Sequence, residues 1–265
     1  MRTVVTVKVV PKSEEVSIYT VTMTLDREGA RNELNRPDKN AIEMALQLTE
    51  THEGEVILLS MGPPLFEEHL RVGIGMGAHD AVLLSDRRFA GADTLPTSRA
   101  LAEGIRRIGD VDLVLCGEES SDSATGQVPP GIAEWLGWPQ LTYVTELRLL
   151  DDGRLAGKRD LSGGHEWIAV SLPAVVSVSL GCNSPRFPDF RRTRWAEKNL
   201  ELKIWSADDL EVDPAELGIA GSPTIVDGVR QAPAPERRRE RLEGPTRQVA
   251  ARLAEHLRQF LRPEA

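Results

Sequence analysis

Residues 111–140 read VDLVLCGEESSDSATGQVPPGIAEWLGWPQ. Val111, Leu113, Val114 and Leu115 predict a buried strand, Gly117 opens a polar turn, and an amphipathic helix follows and ends at Gly137. A strand that runs through a small-residue loop into a helix N-terminus is how open α/β sheets hold phosphate. The free amide N–H groups of the first helical turn face the anion, and the helix dipole adds about half a positive charge there. Ser, Asp and Thr also gather before helices simply to cap them. A cap needs one residue, however, and Glu118 to Gln127 is far longer than that. Pro129 and Pro130 carry no N–H and fit only a first turn, so the helix is expected to start near Val128, with Thr125-Gly126-Gln127 as the donor-rich turn before it.

Outward from this stretch the chain alternates strand and helix. TVVTVKVV, from Thr3 to Val10, is a strand ended by Pro11, with Lys8 at the carboxyl edge of the sheet where such sheets bind ligands. Val16 to Thr24 predicts a small hairpin, with Asp26-Arg27-Glu28-Gly29 as a turn. Asn35 to Asp38 precede a helix from about Lys39 to Thr49. EVILLSM (Glu55 to Met61) and AVLL (Ala81 to Leu84) are the next strands, separated by a helix from about Phe66 to Gly75. Gly73, Gly75 and Gly77 sit at a helix end, the reverse of a dinucleotide fingerprint, and are ascribed to helix termination and close packing. Asp93 caps a helix reaching Ile108, and Asp93-Thr94 can also contribute to a shared pocket.

This order implies a mainly parallel twisted sheet with helices on both faces, Rossmann-like and similar to the adenine nucleotide alpha hydrolase fold. After Thr142 four strands are expected, over Tyr143 to Leu149, Leu155 to Leu161, Glu166 to Ser171 and Ala174 to Leu180, as an antiparallel extension or a small appended sheet. Asn183 to Lys198 is expected to be an exposed loop, in which Phe187 and Phe190 among four arginines suit a partner-docking surface or a solvated basic turn. Residues 1–205 are thus expected as the nucleotide-binding domain, and 206–265 as an arm with a helix over Thr246 to Leu261. That helix carries Val249, Leu253, Leu257 and Phe260 on one stripe, which should pack on the main domain or on another subunit.

Composition bounds the function. A formal charge of −9, from 32 basic and 41 acidic residues, argues against nucleic acid, whose backbone needs clustered positive charge. No apolar run approaches the roughly 18 residues of a membrane span. Met1-Arg-Thr leads straight into a strand, so a cytoplasmic address is expected. Cys116 and Cys182 and the scattered histidines form neither a metal-ligand pattern nor a catalytic triad.

Several segments in order resemble the small (β) subunit of electron transfer flavoprotein. They are VVTVKVVP, the Asn35–Asp38 turn with AIEMALQL, VILLSMGPP, GADTLPTSRALAEGI, VDLVLCGEESSDSATGQ, IAEWLGWPQLTYVTEL, LPAVVSVSLGCNSPRFPDFR and LEGPTRQVAARLAEHL. The resemblance implies a heterodimer with an α subunit that shares FAD, a dehydrogenase as electron donor, and a quinone reductase or similar acceptor. It implies an adenine nucleotide in this subunit: AMP, or a second FAD as in electron-bifurcating, NADH-oxidising members. It places that nucleotide among Thr6, Lys8, Asn35, Arg36, Pro37, Asp38, Met61, Asp93, Thr94, Gly117, Asp122, Ser123, Ala124, Thr125, Gly126 and Gln127. GADTLPTS, GSPT (Gly221 to Thr224) and the short 117–127 loop are similar to the bifurcating group, whereas Ala124 and Pro129 replace a carboxylate and a glycine of that group and favour AMP. The docking segment is carried to Phe187, Phe190 and Arg191, with Phe190 where an apolar anchor is expected. On the residues alone, a stand-alone nucleotide-binding stress-type protein of similar fold stays open.

Overall fold

The structure is a computed structural model and describes residues 1–12, 17–19, 24–26, 32–225 and 239–261. They divide into two compact units, Met1–Gly228 and Val229–Ala265.

β-Branched residues make β1 (Arg2–Thr6) a buried central strand. The expected run to Val10 does not continue as one strand. Lys8 donates its backbone N–H to Asp38 and its carbonyl accepts from Asn35, so the chain turns out of the sheet, and β2 (Val9–Pro11) pairs antiparallel with β5 (Asn32–Leu34). Between these, β3 (Ser17–Tyr19) and β4 (Thr24–Asp26) pair as an antiparallel hairpin. Asp26 therefore ends a strand rather than opening a turn, and Val16, Arg27, Glu28 and Gly29 lie outside the described residues.

The alternation then follows as α1 (Arg36–His52), β6 (Glu55–Met61), α2 (Glu67–Met76), β7 (Asp80–Leu84), α3 (Thr94–Ile108), β8 (Leu113–Gly117) and α4 (Val128–Leu136). α1 starts three residues before the expected Lys39, because Pro37 is suited to a first turn. β9 (Gln140–Leu149), β10 (Leu155–Leu161), β11 (Gly164–Val170), β12 (Ala174–Val178), α5 (Phe190–Asn199) and β13 (Lys203–Trp205) complete the first unit's regular elements.

One nine-stranded sheet among the described residues runs β11-β10-β9-β12-β8-β1-β6-β7-β13. Its antiparallel pairs are β9–β10 and β10–β11, so β9, β10 and β11 form the expected antiparallel extension, whereas β12, parallel to both β8 and β9, departs from it. All five residues of β12 are buried, and a strand covered on both faces belongs inside a parallel sheet. Parallel neighbours need crossovers, and the chain leaves β1 toward β6 but later returns to β1's other side as β8. A cleft at the carboxyl ends of β1 and β8 is the consequence, the place where such sheets take ligands. Val5, Leu58, Leu83, Leu115 and Val176 line the core face that includes Ile42 of α1 and Leu70 and Ile74 of α2. Val4, Leu59, Val82, Val114 and Val175 line the opposite face with Leu101 and Ile105 of α3 and Ile132 of α4.

The expected Asn183–Lys198 loop is helical from Phe190. Asp189 caps α5 by accepting from the Arg192 N–H at 2.7 Å. The Arg192 guanidinium then donates to the carbonyls of Ile74 (2.6 Å), Gly77 (3.0 Å) and Ala78 (2.7 Å), satisfying the end of α2. Gly75 lets the two segments meet, since a Cβ there would stand 2.0 Å from the Thr193 hydroxyl and 3.1 Å from Pro188. Gly77 ends α2 with φ at 133°. Close packing and helix termination thus account for these glycines.

The segment expected to start an arm at Ser206 lies within the first unit. Gly218 follows the path of Arg88 and Ala90 so closely that a Cβ would come 2.1 Å from the Arg88 carbonyl. In the second unit α6 (Thr246–Leu261) is the expected helix, with Leu253, Leu257 and Leu261 exposed. The Phe260 side chain and residues 226–238 lie outside the described residues.

Candidate functional site

The floor of the switch-point cleft is built around Asp38, in the first turn of α1. Its side chain is buried, and its carboxylate accepts from the Lys8 N–H at 2.7 Å, from Asn35 Nδ2 at 3.0 Å and from the Gly117 N–H. Burial pushes this carboxyl up to about 7, against the pull of those donors and of the Lys8 charge. Gly117 is required here, because a Cβ would stand 2.2 Å from Asp38 Oδ1.

Asn35 extends the framework to the loop. Its Nδ2 also donates to the Glu119 carbonyl at 2.8 Å, and its Oδ1 accepts from the Ser121 N–H at 3.1 Å. Lys8, freed from the sheet ladder, turns its ammonium to Asp122 Oδ1 at 2.7 Å, Ser120 Oγ at 3.2 Å and Ser123 Oγ at 3.3 Å. One cation, the Asp122 carboxylate paired with it and two hydroxyls therefore share a small region at the sheet's carboxyl edge.

Past Ser123 the loop opens to solvent. Ala124 and Gly126 both take positive φ, 46° and 63°. The Thr125, Gly126 and Gln127 N–H groups meet no acceptor among the described residues. α4 begins at Val128 with Pro129 and Pro130 in its first turn, as the sequence predicts. Thr94 donates to Gln127 Oε1 at 2.8 Å, tying the start of α3 to the start of α4.

The sequence-predicted residues thus converge in part. Lys8, Asn35, Asp38, Gly117, Asp122 and Ser123 form one connected cluster, and Thr94 joins Gln127. Thr6 is buried with its hydroxyl bonded to Cys116, whose thiol burial pushes up to about 12. Met61 ends β6 in register with Leu84 and packs against the α3 side of the core. Asp93 caps α3 through the Leu95 N–H at 2.9 Å, while its other oxygen accepts the Thr224 hydroxyl at 2.6 Å and N–H at 3.2 Å. Burial raises the Asp93 carboxyl, but the bonds from Thr224 and Leu95 outweigh it and leave the group below its usual range. Ser222 adds an acceptor for the Asp93 N–H at 2.9 Å. Sequence reasoning missed this clamp, for which the Gly221–Thr224 wording was the only signal.

Farther along the chain, Phe187 is 94 % exposed and Phe190 80 %, with Arg191 also exposed. Two of the neighbouring arginines are structural. Arg192 caps α2, and Arg186 is fixed by Glu43 (2.8 Å) and Glu50 (2.6 Å).

The sheet order and the cleft between β1 and β8 define an α/β protein of Rossmann-like class. Residues 22–210 match the family model described as electron transfer flavoprotein domain, and the chain belongs to that family. It is 42% identical to the electron transfer flavoprotein subunit beta of Thermoanaerobacterium thermosaccharolyticum, over 97% of this chain and 98% of that one. The protein FixA of Azotobacter vinelandii is 39% identical over 91% of this chain and 88% of its own length. A third relative, the caffeyl-CoA reductase-Etf complex subunit CarD of Acetobacterium woodii, is 40% identical over 85% of this chain and 86% of its own. Among the described residues no helix is long and apolar enough to cross a membrane.

Proposed function

We propose that this chain is the nucleotide-binding β subunit of a heterodimeric electron transfer flavoprotein and holds AMP at the switch-point cleft. The observation that carries this reading is the convergence there of the Lys8 ammonium, the Ser120 and Ser123 hydroxyls and the N–H groups of Thr125 to Gln127, which meet no acceptor among the described residues. Such a set suits a phosphate. Lys8 supplies the charge, Asp38 and Asn35 hold Lys8 and the loop in place, and the 125–127 turn supplies the donors. FAD, shared with the α subunit, supplies the redox chemistry, taking electrons from a dehydrogenase and delivering them to a quinone reductase or similar acceptor. Phe187, Phe190 and Arg191 form the dehydrogenase docking patch, since exposed aromatics bury large area at low entropic cost. The working compartment is the cytoplasm.

A single phosphate is favoured over a pyrophosphate by two local features. Ala124 brings no polar group to the loop, and Pro129 and Pro130 remove two N–H groups from the first turn of α4. The alternative, a second FAD in an electron-bifurcating complex, draws on the similarity to a reductase-Etf complex subunit. Denaturing the purified complex with its α subunit and quantifying the released adenine nucleotides separates the two. One AMP and one FAD are expected per heterodimer, and two FAD with no AMP would select the alternative.

A further inference from the structure

Tyr143 stands on β9 at the level of the sheet's carboxyl edge, in a conformation its side chain does not favour. Its φ is 57°, in the left-handed region that favours glycine, and β9 and β12 shift register at this point. The strained backbone is held from below. The Tyr143 N–H donates to Ser177 Oγ at 2.9 Å, and Ser177 is 2 % exposed in β12. The half-exposed phenol consequently reaches over to the 117–127 loop. A Cβ on Gly126 would lie 2.8 Å from the Tyr143 hydroxyl, so the hydroxyl occupies the space that a side chain at position 126 would fill. Among the described residues that hydroxyl has no hydrogen-bond partner. It meets the loop at the turn whose own N–H groups have no acceptor among the described residues and where two successive prolines thin out the donors of α4.

We propose that Tyr143 is a ligand-binding residue of the nucleotide site, its phenol O–H donating to the phosphate bound at the Thr125–Gln127 turn. This rests on the nucleotide-site reading above and adds to it a specificity element: the hydroxyl selects for the phosphate of the nucleotide and is indifferent to the nucleoside. Strain of this kind at a site edge persists when the surroundings over-determine it, as the Ser177 bond does here. A glycine at 126 follows from the same geometry, since any side chain there would displace the phenol.

The test uses the heterodimer with its α subunit, stripped of nucleotide by dialysis and titrated calorimetrically with AMP and with adenosine. Tyr143→Phe removes one hydroxyl and keeps the ring. AMP should bind about tenfold more weakly or worse, as expected for a hydrogen bond to a charged group. Adenosine affinity and melting temperature should stay at wild-type values, because the hydroxyl has no partner to lose among the described residues. AMP affinity within twofold of wild type, or equal losses for AMP and adenosine, would overturn the assignment. A wild-type heterodimer that takes up no AMP would instead remove the nucleotide-site reading itself, and this assignment with it.

Discussion

Asp38 is a buried carboxylate whose three donors come from the ends of β1 and β8 and from the residue preceding α1. Its native pKa lies near 7, above the usual carboxylate value of 3.8. Between those two values the native state holds more protons than the unfolded one, so this group's contribution to stability is full below about pH 4 and is lost as pH rises through 7. Asp38→Asn cannot titrate. Its melting temperature should lose the part of the decline between pH 4 and 7 that wild type shows, and an unchanged slope would show that Asp38 is not the titrating group. At the docking patch the expectation has a different form. Phe190 is 80 % exposed, so Phe190→Ala should alter stability by no more than about 0.5 kcal/mol. Electron transfer from the dehydrogenase should slow about tenfold or more, as for a central aromatic anchor. Stopped-flow reduction of the flavin reads this directly, and wild-type kinetics would move the docking site elsewhere.

At the scale of elements, α5 and α2 show how a short helix with little apolar surface is kept in place. Ala196 is buried, but most of α5 is polar, and it is anchored by the Arg192 bonds and by Thr193 against Gly75. Gly75→Ala would gain helix propensity and still destabilise the unit by about 1–3 kcal/mol, because the new methyl overlaps the Thr193 hydroxyl. Denaturant unfolding at fixed pH checks this, and a stabilised variant would refute the contact. The same pair marks where sequence reading stops. Strand β8, the loop from Glu118 to Gln127 and the start of α4 were legible, because a buried apolar run, a small polar stretch and a proline pair each have a local physical meaning. So were Lys8 and Asp38, as residues carrying charge at a strand end and a helix start. The helical state of Phe190–Asn199 was not, since its reason is Arg192 reaching carbonyls more than a hundred residues away in sequence. Nor was the parallel placement of β12 or the bulge at Tyr143, which depend on partners that only the closed sheet brings together. Asp93 was read as a cap, which it is, and its second bond to Thr224 is again a long-range fact.

For the whole molecule, the nine-stranded sheet and the reversal of strand order beside β1 make one cleft, and the residues with charge and free donors gather at it. Family membership fixes the setting as an electron transfer flavoprotein subunit. In the second unit Leu253, Leu257 and Leu261 are exposed at helical spacing along α6. Whether the cleft in this subunit holds AMP is decided by adenine nucleotide and flavin released from the purified heterodimer, separated by chromatography and counted against protein. One AMP and one FAD per heterodimer are expected, and two FAD, or FAD with no AMP, would rule AMP out of the cleft.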